Sequence, residues 1–379
     1  MADLKQLREK IDGLDKSLVD IYLQRMAVCG EIGKAKQEIQ KNIDDVKRED
    51  EVLYNVLTSA DDKLKPYVKE LYKTVFSTSK AYQREQDESS STTVEKIKKA
   101  LQNEKSELDL TATVACQGVE GANSHTAVKK FIQVPSVSFF KTFDGVFSAV
   151  DKGFCKYGVL PIENSTAGSV LEVYDLITKH NFYVVKSLKL KIEHCLASVS
   201  GATESSVKKV VSHAQALKQC SEYIKRNSLE AEESANTALS AKEVALSGDK
   251  SVATVCSVEC AELYGLKILK RNIQNESNNY TRFILIAKDL TLLKGSDKVS
   301  IVTSLAHKVG SLSELLNKFS LAGLNLTKIE SRPLNSDFEF LFYLDFSGDI
   351  TNAKVLNLLA ELENGSQYFE FLGSYKEII

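Results

Sequence analysis

The chain has 379 residues, of which 43% are hydrophobic, and this length and composition predict a globular protein of two or three domains. The net charge at pH 7 is −2, and no apolar run approaches the roughly 18 residues that span a bilayer, so neither nucleic acid nor a membrane is an expected partner. Seven dispersed cysteines, five dispersed histidines and the absence of an apolar leader predict reduced thiols in a cytoplasmic protein without a metal site.

The first 40 residues predict one long amphipathic helix, because their apolar side chains recur at alternating spacings of three and four. Arg25 occupies a position in this apolar row where a hydrophobic residue is due, and Lys36 lies on nearly the same helix face. A buried cation needs an ion-pair partner or a ligand. The two cations therefore indicate a site for an anionic group.

Two shorter helices are predicted at Asp45–Leu57 and Pro66–Arg84. They cannot bury the whole apolar face of the long helix, so we expect this region to dimerise. A plain coiled-coil module with one polar register-setting residue is the structural alternative. Five polar residues on these helices favour a binding site instead. They are Arg25, Lys36, Arg48, Ser79 and Gln83.

A polar segment at 86–93 predicts a linker, and a short helix is expected at Val94–Asn103. From Thr111 onwards strands alternate with helices, which predicts βαβ units and a parallel sheet. The predicted strands are Thr111–Cys116, Tyr157–Ile162, Phe182–Ile192, Lys208–Ser212, Ser251–Val255 and Arg282–Ala287. The predicted helices are Ser124–Phe131, Phe143–Lys152, Val170–His180, Ala214–Arg226, Ala235–Leu246 and Val258–Leu263.

Polar turns lie at four strand-to-helix junctions, where ligands bind in open α/β sheets. The turn in Pro161–Val170 holds a carboxylate, an amide, two hydroxyls and a glycine. Such a turn before a helix N-terminus favours an anion, and an ordinary loop with a Ser/Thr cap is the alternative. The other junctions are at 118–125, 212–215 and 278–283, where isolated histidines are more often structural than catalytic.

The segment Lys298–Ile379 has the βαββαβ order of the ferredoxin-like split motif. Its exposed β-faces are expected to pair with another copy. The predicted strands are 298–304, 324–332, 337–346 and 368–376, and the predicted helices are 309–321 and 350–363.

In this order, the three parts resemble the bifunctional chorismate mutase–prephenate dehydratases of phenylalanine biosynthesis, which end in a regulatory ACT domain. The resemblance implies an all-α, three-helix, dimer-forming N-terminal domain and an α/β dehydratase domain with two lobes like those of periplasmic binding proteins. It also implies a ferredoxin-like α+β ACT domain. The expected bounds are 1–87 for the mutase, 88–110 for a linker, 111–290 for the dehydratase and 298–379 for the ACT domain.

The mutase resemblance rests on Leu7–Ile11, Arg25, 33–36, 45–49 and 79–83. Chorismate rearranges to prephenate within one molecule, so no cofactor is expected, and the site must hold a folded conformer and stabilise the ether oxygen. By resemblance, the substrate carboxylates are bound by Arg8 of the partner protomer, Arg25 and Arg48. Lys36 and Gln83 face the ether oxygen. The substrate or the cations are oriented by Asp45, Glu49 and Ser79.

The dehydratase resemblance rests on Pro161–Gly168, His194–Leu196, Ser212 with His213 and, above all, Thr281–Phe283. It implies that prephenate loses CO₂ and hydroxide to give phenylpyruvate, with no metal or cofactor. Thr281 is then a hydrogen-bond donor to the departing oxygen, since an alcohol is a weak acid. By resemblance the substrate is also bound by Glu163, Asn164, Ser165 and Thr166, while Arg282 is structural.

The ACT resemblance implies an L-phenylalanine effector site at a dimer interface, and inhibition by a population shift of the catalytic lobes. Its residues are Gly310, Ser311, Leu312, Glu330, Ser331, Arg332 and Pro333. The expected partners are chorismate, prephenate, the effector and further copies of the chain, as a dimer or a tetramer.

Two other functions remain open. The dehydratase domain could prefer arogenate, although a fused mutase produces prephenate locally. The chain could also be a phenylalanine-sensing binding protein without catalysis, against which the presence of Thr281 and of the mutase cations argues.

Overall fold

The computed structural model describes residues 3–39, 41, 43–85, 91–334 and 339–379. The predicted linker residues 86–90 and the beginning of the strand predicted at 337 lie outside the described residues. The chain divides into two compact units, one of Met1–Lys98 with Val302–Phe369 and one of Lys99–Ile301 with Glu370–Ile379.

The helices match most of the predicted ones to within two or three residues. They are α1 Leu4–Glu38, α2 Val46–Thr58, α3 Lys65–Glu85, α4 Thr92–Leu101, α5 Asn123–Phe131, α6 Phe143–Asp151, α7 Leu171–His180, α8 Ala214–Gln219, α9 Ser221–Arg226, α10 Thr237–Ser247, α11 Val258–Leu263, α12 Ser311–Ala322 and α13 Ala353–Gly365.

The strands include several that the sequence did not predict. They are β1 Thr111–Gln117, β2 Val134–Phe140, β3 Tyr157–Asn164, β4 Gly168–Ser169, β5 Tyr183–Lys191, β6 Cys195–Ser198, β7 Lys209–Ser212, β8 Glu230–Glu233, β9 Val252–Cys256, β10 Lys267–Lys270, β11 Tyr280–Ala287, β12 Lys298–Ser304, β13 Asn325–Leu334, β14 Glu339–Ser347, β15 Phe369–Tyr375 and β16 Glu377–Ile378.

Helix α1 is the predicted long amphipathic helix, and most of its apolar row is exposed. Leu4 is 61% exposed and Ile21 is 65% exposed. The buried residues of α1 lie only in its second half, at Cys29, Gly30 and Gly33. Within the described part of the chain, the first half of α1 therefore has no apolar partner for its hydrophobic face.

The region predicted at 111–290 contains two sheets, the first of which also includes β16, and this confirms the predicted α/β class. Among the described residues the first sheet has the order β16-β5-β11-β3-β1-β2, with β4 paired to β3. Strands β1, β2 and β3 are parallel, but β11 is antiparallel to both β3 and β5. The predicted parallel sheet is therefore wrong. The chain leaves this sheet through β5, builds the second sheet and returns through β11, so these two strands run in opposite directions.

The second sheet has the order β10-β6-β9-β7-β8. Strand β6 is antiparallel to its neighbours, whereas β7 is parallel to β8 and β9. The helix predicted at Ala214–Arg226 is interrupted, since α8 ends at Gln219 and α9 begins at Ser221. Strand β8 is exposed along its whole length, so it lacks the hydrophobic pattern by which a strand is predicted.

The C-terminal segment forms a four-stranded sheet of order β13-β14-β12-β15, with α12 and α13 in the predicted βαββαβ order. Phe319 and Phe346 pack edge to face with ring centroids 5.1 Å apart.

Among the described residues, no helix is long and apolar enough to cross a membrane.

Candidate active sites

The first site lies where α1 and α3 meet. The Nη1 atom of Arg25 donates a hydrogen bond to Ser79 Oγ and lies 3.5 Å from Cys29 Sγ. Tyr22 donates to Thr78 Oγ1 at 2.7 Å, which joins the same two helices. Within the described residues, no carboxylate lies within ion-pair distance of Arg25. A half-buried guanidinium bound only to neutral groups keeps its affinity for an anion.

Gln83 and Lys36 lie further along the same helices. Gln83 is 8% exposed, and its Oε1 has no hydrogen-bond partner among the described residues. Lys36 Nζ donates to the carbonyl oxygen of Ile43 at 2.7 Å. A Cβ atom on Gly33 would lie 3.2 Å from Gln83 Cγ and 3.4 Å from Gln83 Cα, so this glycine allows α3 to approach α1 closely.

Helix α2 begins beside these groups. Asp45 is its N-cap and accepts a hydrogen bond from the backbone N–H of Arg48 at 3.3 Å, which lowers the pKa of Asp45. The carboxylate of Glu49 pairs with Lys80 Nζ at 3.1 Å. The guanidinium of Arg48 is exposed and pairs with Glu51 at 3.0 Å. Glu49 and Lys80 thus connect α2 to α3, whereas the described contacts of Arg48 are with Asp45 and Glu51 and not with Arg25 or Gln83.

Arg8 is not part of this group in the same chain. It lies on the exposed first half of α1, about 25 Å along the helix from Arg25 at the usual rise per residue. An Arg8 that contributes to such a site must therefore come from another copy.

The second site is organised by Asn164, which ends β3. Its Nδ2 donates to Asn279 Oδ1 at 2.9 Å and to Thr281 Oγ1 at 2.9 Å. Its Oδ1 accepts from Thr166 N at 3.1 Å, Thr166 Oγ1 at 2.7 Å and Ala167 N at 2.9 Å. One buried amide therefore joins the turn after β3 to the beginning of β11.

The turn itself differs from the predicted helix-terminus site. Residues 165–167 connect β3 to the short strand β4, which folds back antiparallel on β3. Helix α7 starts only afterwards, and its N-cap Val170 makes no side-chain cap hydrogen bond, so the Ser/Thr-cap alternative is wrong. The hydroxyl of Ser165 donates to Asn278 O at 3.2 Å and accepts from Tyr280 N at 2.9 Å. The turn is held by internal hydrogen bonds.

Thr281 is oriented by this network. Its Oγ1 accepts the hydrogen bond from Asn164, and within the described residues its own O–H group has no acceptor. Thr281 is directly opposite Asn164 in the pairing of β11 with β3, and the register shifts just beyond, between Arg282 and Phe283. Bulges of this kind often lie next to active sites, where they direct a side chain. A hydroxyl with a fixed oxygen and an available proton is a hydrogen-bond donor for a ligand.

The two histidines at the polar junctions, and His194 before β6, have structural partners. His125 Nδ1 accepts from Gly121 N at 3.1 Å, and His213 is the N-cap of α8. His194 Nε2 lies 2.8 Å from Gln219 Oε1, and burial lowers the pKa of His194. The expectation that the isolated His125 and His213 are structural agrees with these contacts.

The predicted effector residues lie in two places. Gly310 is the N-cap of α12 with φ +94°, and the buried Ser311 Oγ has no partner among the described residues. A cavity of about 180 Å³ is lined by Ser304, Ser311, Lys318 and Gln367, among others. Residues 330–333 belong to β13, an edge strand, and do not line this cavity. A single chain therefore does not bring residues 310–312 and residues 330–333 together at this cavity.

Comparison with known proteins assigns a family to each of the two regions that contain these sites. The family model of chorismate mutase type II matches residues 7–84, and that of prephenate dehydratase matches residues 114–291. A bifunctional chorismate mutase/prephenate dehydratase from Enterobacter agglomerans is 31% identical over 98% of this chain and 95% of its own length. The chain belongs to this bifunctional family.

Two further relatives match about 70% of the chain. The arogenate dehydratase/prephenate dehydratase 2 of Arabidopsis thaliana is 37% identical over 69% of this chain and 72% of its own length. The crystal structure of a prephenate dehydratase from Arthrobacter aurescens in complex with L-Phe superposes with a TM-score of 0.64. It is 27% identical and covers 70% of this chain and 89% of that one.

Sequence reasoning gave no role to Gly33, Lys80 or Asn279. A glycine inside a helix costs about 1 kcal/mol relative to alanine, so its presence is a signal of close packing that could have identified Gly33. Lys80 pairs with both Glu49 and Asp44 across helices, and no local pattern predicts such a pairing.

Proposed function

We propose that this bifunctional chain rearranges chorismate to prephenate in its mutase domain and converts prephenate to phenylpyruvate in its dehydratase domain, without a cofactor. The observation that supports the second activity most strongly is the available O–H group of Thr281, whose oxygen is held by Asn164. The two activities use separate residues, so each can be tested alone.

In the mutase reaction, Arg25 and Arg48 bind the carboxylates of chorismate, and Arg8 of a second copy completes the site. Lys36 and the amide of Gln83 stabilise the negative charge that develops on the ether oxygen as its bond breaks. No covalent intermediate is required, because the rearrangement occurs within one molecule. Ser79, Asp45 and Glu49 orient the substrate and the cations; the contact of Ser79 with Arg25 supports this role.

The mutase domain is proposed to act as a homodimer, within a dimer or tetramer of the whole chain. Each α1 then covers the exposed apolar row of its partner, which removes large aliphatic side chains from water. Leu14→Asp should shift sedimentation towards a smaller species, whereas Lys16→Glu, outside the row, should not. A monomeric wild-type protein that retains full mutase activity would contradict this proposal.

In the dehydratase reaction, Thr281 donates a hydrogen bond to the departing hydroxyl of prephenate while the carboxylate leaves as CO₂. The electrons of the broken C–C bond enter the ring, and hydroxide leaves from the opposite carbon, so aromatisation drives the step. Asn164 holds the Thr281 oxygen, and the exposed Ser165 and Thr166 form the rim that binds the substrate. Glu163, which pairs with Arg282, supports this rim from the other face of β3. The internal hydrogen bonds of the turn preorganise this rim.

L-Phenylalanine is proposed as the feedback inhibitor. The cavity that Ser311 lines supports an effector site, although its neighbours Gly310 and Leu312 are not among the lining residues, and residues 330–333 of a second copy would complete the site. The solved L-Phe complex of the Arthrobacter prephenate dehydratase supports the same ligand. A cytoplasmic location is also proposed, and the seven buried cysteines, which form no disulfide in the described residues, are compatible with it.

The deciding experiment supplies chorismate to the purified chain and follows its loss and the formation of phenylpyruvate, with and without L-phenylalanine. Phenylpyruvate formed from chorismate alone, and suppressed by phenylalanine, is the expected result. Ser331→Ala should weaken this suppression without changing the uninhibited rate. Accumulation of prephenate would mean that the α/β domain does not act on it, as in a sensor without catalysis.

Arogenate is the second candidate substrate of the dehydratase domain, because the Arabidopsis relative is named for both activities. The ratio of kcat/KM for prephenate and arogenate decides between them. We expect prephenate to be preferred, since the fused mutase domain produces it.

A further inference from the structure

The C-terminal strand β16 adds to the dehydratase sheet by pairing parallel to β5, with Glu377 opposite Ser187. The Glu377 side chain is only 12% exposed and pairs with Lys189 at 2.8 Å and Lys298 at 2.9 Å. Ser187 Oγ donates to Glu377 Oε1 at 3.1 Å. A two-residue strand is thus held by a buried carboxylate with several partners.

Arg282 connects this carboxylate to the catalytic strand. It follows Thr281 directly, and its side chain is 7% exposed. Its Nε lies 3.7 Å from Glu377 Oε1, its Nη1 lies 3.7 Å from Glu163 Oε2, and its Nη2 donates to Tyr375 Oη at 3.2 Å. Arg282 therefore bridges β3 and the C-terminal residues.

The position of this bridge matters because the ladder between β11 and β3 is irregular there. Arg282 pairs with Glu163, but the next residue, Phe283, pairs with Pro161, so β3 has one extra residue at this point. On its other side β11 pairs regularly with β5 from Tyr280 to Leu285, so it is the register of β11 against β3 that backbone hydrogen bonds define weakly at this bulge. Successive side chains point to opposite faces of the strand, so Arg282 does not share the face of Thr281. The ion pairs of Arg282 therefore hold the backbone of β11 from the face opposite to the Thr281 side chain.

We propose that Glu377 is a positioning residue of the dehydratase, which holds β11 through Arg282 in the register that sets Thr281 against Asn164. This inference rests on the proposed role of Thr281. Glu377 itself does not touch the substrate; it acts through the side chain of Arg282, which holds the backbone of β11.

The charges around Glu377 explain why its loss should move Arg282. Burial raises the pKa of Glu377, but hydrogen bonds from Lys189 and Lys298 and the charge of Arg282 outweigh this effect and lower the pKa to about 2. Without the carboxylate, the nearly buried cations Arg282 and Lys298 lose their shared anion. Like charges in a region of low dielectric repel each other, so Arg282 should shift and β11 with it.

The test measures dehydratase kinetics of full-length Glu377→Gln with prephenate. We expect kcat to fall by about tenfold, because a small misplacement of a catalytic group has effects of this size or larger. KM should change less than kcat, and mutase turnover of the same sample should equal that of the wild type. Glu377→Asp should restore part of the lost kcat.

Lys189→Gln is the matched control, since it removes a half-exposed cation that pairs with the same carboxylate and leaves the backbone pairing of Lys189 with Arg282 in place. It should lower stability but keep kcat. Tyr375→Phe removes a different hydrogen bond to Arg282 with little change in volume and should lower kcat by a smaller factor. Unchanged kcat in folded Glu377→Gln and Tyr375→Phe would overturn the proposal. A wild-type chain that does not convert prephenate would instead overturn the proposed function.

Discussion

The two candidate sites differ in how completely one chain satisfies their polar groups. In the mutase site, Gln83 Oε1 lacks a partner among the described residues, and Arg25 contacts only neutral groups. In the dehydratase site, Asn164 uses both ends of its amide within the protein and leaves the Thr281 proton available. The polar groups of the first site therefore remain available to a ligand. The second is preorganised inside one compact unit.

Because of this difference, substitutions in the two sites should change different properties of the enzyme. Changes in the mutase site should act mainly on charges that meet the ligand, whereas changes in the dehydratase site should act on the orientation of one hydroxyl. Because the two sites share no residue, each substitution should affect one activity and leave the other intact.

The largest effect is expected for Arg25→Ala. Removal of the guanidinium deletes the carboxylate-binding charge and leaves Ser79 without its donor, so mutase kcat/KM should fall by about a thousandfold or more. Dehydratase turnover, measured with added prephenate, should be unchanged. Loss of both activities in a folded variant would contradict the two-site comparison.

Thr281→Ala should lower dehydratase kcat by about a hundredfold, the usual effect of removing one transition-state hydrogen bond. Thr281→Ser retains the hydroxyl and is the matched control, with most of the activity expected to remain. Mutase turnover serves as the internal standard in both variants. A near-normal rate for Thr281→Ala would exclude this hydroxyl from the mechanism.

Gly33→Ala should reduce mutase kcat by a smaller factor, about threefold to tenfold, because the new methyl group displaces Gln83 by a few tenths of an ångström. Gly13→Ala is the control in the same helix, since nothing lies within 4 Å of its Cβ position. That substitution should leave mutase activity intact and increase helix stability slightly. Equal kinetics for the two variants would show that the contact with Gln83 is unimportant.

The smallest expected effect is the loss, in acid, of the folding stability that the ion pairs of Glu377 provide. The folded pKa of Glu377 is about 2, below the usual value of 4.5, so its ion pairs stabilise the fold above pH 4.5 and lose this effect as the pH falls towards 2. Denaturant unfolding of wild type and Glu377→Gln between pH 7 and pH 2 measures it. The difference in unfolding free energy should be largest at neutral pH and shrink in acid. A difference that does not depend on pH would contradict this assignment.

Much of the fold followed from local patterns. The helix α1 and the βαββαβ order of the C-terminal segment were predicted because amphipathic periods of 3.6 and 2 depend on nearby residues only. The mixed first sheet was not predicted, because the direction of β11 depends on a return from the second sheet. Strand β16 was missed because two residues carry no period.

The sequence by itself determined the three kinds of segment, their order and the residue types at both sites, since these depend on composition and spacing along the chain. Only the tertiary structure decided how those residues are used. Asn164 orients Thr281, and Gly33 allows Gln83 to pack closely against α1. Arg282 forms an ion pair with Glu377, which lies 95 residues later in the sequence. Such contacts arise from packing between distant segments, and hydrogen bonds and ion pairs depend on distances that no local pattern encodes.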